Sequence, residues 1–126
     1  MSYKDGELIS SAQSYTTSWV DLGSAVHTHG NQTIAIWINN DIGTGADLQL
    51  QALAINTYNT TEYNLPIKTI SSTAVAVDEN VVTFPSGDTK FILGVTLDRV
   101  IPWVQFQIKA GTAGTAEVYE ASYTAE

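Results

Sequence analysis

His27 and His29 stand two residues apart, and on a strand that spacing puts both imidazoles on one face. Such a pair could hold a metal or form a pH-sensitive contact at a subunit interface. No carboxylate or third histidine lies close in sequence, so the plain reading is two surface histidines beside the turn at Gly30. A second set of potential ligands is Asp41-Ile-Gly-Thr-Gly-Ala-Asp47, where two carboxylates flank a glycine-bearing loop next to Asn39 and Asn40. Hard oxygen ligands on such a loop suit Ca²⁺, yet the spacing lacks the closing glutamate of an EF-hand, and a polar turn between strands explains it equally. His27, His29, Asp41 and Asp47 are therefore the metal candidates, and we expect no metal or other cofactor.

Aromatic side chains are the other chemically able group. Trp19, Trp37 and Trp103 accompany six tyrosines, and rings on a sheet face can stack against sugars. Core and interface packing is the competing role. Trp37 and Trp103, with Gln105 and Gln107 on the same stretch as Trp103, are the interface or ligand candidates. Catalytic patterns are missing. No Gly-x-Ser-x-Gly elbow occurs, the glycines form no phosphate-binding fingerprint, and cysteine is absent, which excludes thiolate nucleophiles, zinc–thiolate sites and disulfides. We expect a protein that is not an enzyme. Asn31-Gln-Thr33 and Asn59-Thr-Thr61 match the glycosylation acceptor pattern, but no secretion signal accompanies them.

The elements that must position these residues are strands. Apolar and polar residues alternate in Thr33–Ile38, Asp47–Ile55, Lys90–Leu97 and Pro102–Lys109, whereas helical periodicity is hard to find. Turn signals separate these runs: His29-Gly-Asn31, Asn39–Gly45, Asp78-Glu-Asn80, Pro85–Asp88, Asp98-Arg99 and Gly111–Gly114. Thr73–Val77 and Val81–Phe84 read as a hairpin, and Pro66 and Pro102 each mark an edge, a strand start or a bulge. The expected fold is all-β, one antiparallel β-sandwich of about eight strands over residues 1–126, of jelly-roll type with an immunoglobulin-like sandwich as runner-up. Residues 1–14 form an N-terminal arm or edge strand, and both this segment and Tyr119–Glu126 could add strands to a neighbour.

Composition narrows the partners. The net charge is −8, and the five basic residues are spread singly, so no stripe exists to neutralise a phosphate backbone or an anionic membrane. We expect no nucleic acid and no membrane partner. Charged residues make up only 14%, with Thr, Ser, Asn and Gln filling polar positions, a choice suited to faces that associate without desolvating many charges.

The stretch Val100-Ile-Pro-Trp-Val-Gln-Phe-Gln-Ile-Lys-Ala-Gly-Thr-Ala-Gly-Thr-Ala-Glu-Val-Tyr119 resembles small virion structural proteins of tailed bacteriophages, of the head decoration or cement type. Trp37–Asp41, Leu48–Ala54 and Tyr63–Ile70 extend the likeness, which runs from about Trp19 to Tyr123 as an overall pattern rather than a catalytic motif. The resemblance implies a β-rich protein made in the bacterial cytoplasm that sits on the capsid exterior. Its partners would be the major capsid protein and copies of itself, as a homo-oligomer and often a trimer. It carries over no catalytic residues. The alternative is a carbohydrate- or receptor-binding module of a phage tail or head fibre, and a small hydrolase or metal-dependent enzyme is the third reading.

Overall fold

The computed structural model describes residues 4–30, 32–41, 48–56, 58–65, 68–69, 76–78, 81–84, 89–97, 101–110 and 116–125. These residues hold twelve strands: β1 (Lys4–Tyr15), β2 (Val20–Asp21), β3 (Val26–His27), β4 (Thr33–Asp41), β5 (Leu48–Asn56), β6 (Thr61–Leu65), β7 (Lys68–Thr69), β8 (Ala76–Asp78), β9 (Val81–Phe84), β10 (Thr89–Thr96), β11 (Trp103–Lys109) and β12 (Ala116–Ala125). No helix occurs among them, and in particular none long and apolar enough to cross a membrane. The strands form two antiparallel sheets. One runs β1-β12-β4-β10-β7, and the other runs β2-β11-β5-β9-β8, with β3 also on β11 and β6 also on β5.

Alternation explains the packing. Ile34, Ile36 and Ile38 of β4 point inward, as do Leu48, Leu50 and Ala52 of β5 and Val104, Phe106 and Ile108 of β11. With Tyr15, Val82, Val95, Ala121, Tyr123 and Ala125 they make one core shared by both sheets, a sandwich-like arrangement. The intervening residues Trp37 on β4 and Gln49, Gln51, Gln107 and Lys109 on β5 and β11 face outward.

The two sheets meet along one edge through a break in a strand. β2 and β3 both pair with β11, at Gln107–Ile108 and Trp103–Val104 respectively. Between them Leu22–Ala25 leaves the ladder, although the Leu22 N–H still donates to the Phe106 carbonyl at 2.8 Å. Gly23 adopts a left-handed backbone with φ of 63°, and its Cα lies so close to β1 that a Cβ there would sit 2.2 Å from the Ile9 carbonyl oxygen. Gln13 of β1 ties the junction from the other side. Its Oε1 accepts from the Gly23 N–H at 2.9 Å and from the Ser10 hydroxyl at 3.0 Å, while its Nε2 donates to the Asp21 carbonyl.

Several local expectations shift. Short pieces raise the strand count among the described residues from about eight to twelve: β2 and β3 share β11 as a neighbour, and β6 and β7 are short strands of different sheets. Asn39, Asn40 and Asp41 are strand residues of β4, because β12 pairs with all three and β10 with Asn39 and Asn40, which overrides their turn preference. Asp78 likewise ends β8, facing Val81 in the expected hairpin with β9. Pro102 immediately precedes β11, as a strand start requires. Pro66 and the turns at 85–88, 98–99 and 111–114 lie outside the described residues. β1 is an edge strand paired with β12. The C-terminal strand is not free to add to a neighbour: β12 is hydrogen-bonded on both sides, to β1 and β4. A register shift interrupts the pairing of β12 with β4 between Val118 and Glu120.

Candidate functional site

The strand break places three rings side by side. His27 ends β3 and pairs with Trp103 at the start of β11, with ring centroids 4.7 Å apart and nearly perpendicular. His29 follows in a left-handed turn, φ 54°, that turns its ring edge-on to His27 at 4.8 Å. The pair therefore meets through a turn rather than through the strand period. The same turn sets the chemistry of His27: the His29 backbone N–H donates to its Nδ1 at 3.1 Å, so the neutral imidazole carries its proton on Nε2. Thr28, fully buried between them, anchors the segment by donating from Oγ1 to the Ile101 carbonyl at 2.7 Å and from its N–H to the Pro102 carbonyl at 2.9 Å.

These rings line a cavity of about 420 Å³ whose other walls include Glu7, Leu8 and Tyr123. Glu7 arrives on β1 and Tyr123 on β12, which pair with each other at that point. The Tyr123 ring is buried, and its hydroxyl lies 3.2 Å from Glu7 Oε2 and 3.2 Å from the His27 carbonyl, with one proton to donate between them. Burial, reinforced by the Glu7 charge and the hydrogen bond to it, pushes this phenol from 10.0 up to about 12.

A pH dependence follows. The unfolded chain releases the Tyr123 proton near pH 10 and the folded one near 12, so across that window the unfolded state binds fewer protons and stability falls as pH rises. Below pH 10 both states keep the proton and the effect vanishes. Thermal melts of the wild type and Tyr123→Phe across this range should show a steeper loss in the wild type. Parallel curves would refute the assignment.

The remaining candidates are scattered. Among the described residues no group of three or more His, Asp or Glu is placed to hold a metal ion. Asp41 closes β4, and its side chain, with Asp47 and the loop between, lies outside the described residues. Trp37 is 44% exposed on the outer face of the other sheet, where its Nε1 donates to Thr124 Oγ1 at 3.2 Å, so it shares no platform with Trp103. Gln105 is corrected from a contact residue to an internal one. Its position in β11 is outward, but it is only 6% exposed, and its amide donates to the Phe106 carbonyl at 2.8 Å and the Gly23 carbonyl at 3.3 Å.

Gln107 belongs to a second surface. Its Nε2 donates to Asp21 Oδ1 at 2.9 Å and its Oε1 accepts from Gln51 Nε2 at 2.7 Å; Gln51 Oε1 in turn accepts from Asn64 Nδ2 at 3.1 Å. This ladder crosses β6, β5, β11 and β2 on the outer face, and Lys109 beside it sets its ammonium over the Trp19 ring, 4.9 Å from the centroid. The β5–β6 hairpin borders the same face. Side-chain oxygens of Asn56 and Asn59 accept from the Tyr58 and Thr61 N–H groups at 2.9 and 3.1 Å, and Tyr58 is 94% exposed. Glu7, Tyr123 and Tyr58 are not marked by type or spacing in the sequence. Only Tyr58, beside the turn-forming Asn59, had a local signal.

Fold and site together define an all-β domain of two antiparallel sheets with a polar, aromatic-walled cavity at one edge and an amide-rich outer face. No protein-family model matches the chain, and no curated protein matches it significantly.

Proposed function

We propose that the chain is a virion structural protein of a tailed bacteriophage, a decoration or cement protein that binds the outside of the capsid lattice as a homo-oligomer, trimers being the expected form. The observation that carries this reading is the outer face of the second sheet. Its amides are already hydrogen-bonded to one another, its lysine is stacked on a tryptophan, and exposed Tyr58 tops the adjoining β5–β6 hairpin. A partner can cover such a face without stripping water from many charges, and tyrosines supply contact area with few rotamers to freeze. The resemblance around Val100–Tyr119 supports the same assignment and names the major capsid protein as partner.

The fold reading that goes with it is a jelly roll. Pairing of β1 with β12, β2 and β3 with β11, β4 with β10, and β5 with β9 supports it, since a long hairpin wrapped into two sheets pairs first strand with last and so inward. An immunoglobulin-like sandwich would place different strands side by side.

Purified heads that lack the decoration layer test the function. Wild-type protein should co-sediment with them to a fixed ratio and scatter light as an oligomer when free. Tyr58→Ser should lower that binding while melting like the wild type, since an exposed turn residue contributes little to stability. A strict monomer with no affinity for such heads would sink the reading.

A further inference from the structure

We propose that the cavity between β1, β3 and β11 binds a pyranose sugar, with Trp103 as the stacking platform and His27, Tyr123 and Glu7 as its hydrogen-bonding groups. The inference is independent of capsid binding. A pyranose presents an apolar face of C–H groups and a rim of hydroxyls, each both donor and acceptor. A site for it needs a flat apolar ring beside fixed donors and acceptors together. Trp103 supplies the ring: it is 37% exposed, so part of the indole is open, and His27 and then His29 buttress it from the side.

The polar groups are matched to hydroxyls. The backbone hydrogen bond from His29 leaves His27 with an Nε2–H donor. Glu7 brings a carboxylate acceptor, and the Tyr123 hydroxyl, its one proton directed to Glu7 and the His27 carbonyl, keeps its oxygen as a second acceptor. Each is held before any ligand arrives, His27 by its neighbour's amide and Tyr123 by a ring buried in the core, so little side-chain freedom remains to be lost on binding. The cavity, about 420 Å³, lies in the range of small-molecule sites. A quaternary ammonium would use the rings and the carboxylate but meet the His27 N–H as a donor without a partner, which favours the sugar.

Saturation-transfer NMR and calorimetry with methyl α- and β-glycosides of glucose, mannose, galactose and N-acetylglucosamine test the free sugar. The same sugars on an immobilised array test the polymer-displayed form. At least one should bind in one arm or the other. Its affinity should fall about tenfold or more in Trp103→Ala, a loss typical of a lost stacking ring, and severalfold in Tyr123→Phe, with Trp37→Ala unchanged. Trp103→Phe, which keeps a flat ring, should retain most of the binding and carries the test if the alanine variant fails to fold. Silence in both arms, binding that survives both Trp103→Ala and Tyr123→Phe, or Trp103-dependent binding of choline with no glycoside bound would overturn the proposal.

Discussion

Gly23→Ala is expected to destabilise the fold by about 3 kcal/mol, the sum of a left-handed backbone cost and an overpacking cost, and to lower the melting temperature by roughly 10 °C. Two terms act at one atom. The backbone at φ 63° disfavours any Cβ, and the new methyl would sit 2.2 Å from the Ile9 carbonyl oxygen and 2.9 Å from its carbon. Those are main-chain atoms of a paired strand and cannot swing aside as a side-chain tip would. Relief requires moving β1 or the Leu22–Ala25 segment, which strains the bond from the Gly23 N–H to Gln13 and that from Gln105 to the Gly23 carbonyl. Gly30→Ala is the control. Gly30 also has positive φ, 76°, but a Cβ there meets nothing within 4 Å, so only the backbone term of about 1 kcal/mol remains. Equal melting temperatures for the two variants would refute the close approach of β1 to the strand break.

Phe106→Ala should cost about 4 kcal/mol, the middle of the range for a buried phenylalanine. The ring is 1% exposed and belongs to the one core that both sheets share. Its backbone is held independently of the ring, since the Phe106 carbonyl accepts from Leu22 N–H and from Gln105 Nε2, each at 2.8 Å. The strand therefore stays in place and cannot collapse into the space the ring leaves, which keeps the cavity cost high. Urea titration should show a lower midpoint with an unchanged slope. Phe106→Leu should recover most of the loss, to within about 1.5 kcal/mol of wild type. A Phe106→Ala variant within about 1 kcal/mol of wild type would show that the ring is not part of the tightly packed core.

What was legible in the sequence was what is written at a period of two. Ile34, Ile36 and Ile38, or Val104, Phe106 and Ile108, declare an inward face because adjacent residues alone decide it. The all-β class follows from such runs. The strand break at Leu22–Ala25 carried a weaker signal, a glycine beside a serine, and nothing local says that β2 and β3 share one neighbour. The site was half legible. His27, His29 and Trp103 stand out by type, but Glu7 and Tyr123 reach them through the pairing of β1 with β12, a contact spanning nearly the whole chain. Gln105 shows the converse: alternation gives its direction correctly, yet the Gly23 segment, 82 residues away in sequence, decides that it is buried.

The ladder on the outer face has a consequence beyond its low charge. From Asn64 through Gln51 and Gln107 to Asp21, every N–H points the same way, and the row ends on a carboxylate. Reversing one amide would set like atoms together on both of its sides, so the row keeps its sense as a unit. Its dipoles add, and the face carries an arrow from β6 toward β2. A partner on this face, if turned half a revolution in the plane, would meet the opposite polarity, so this nearly featureless surface would still distinguish up from down.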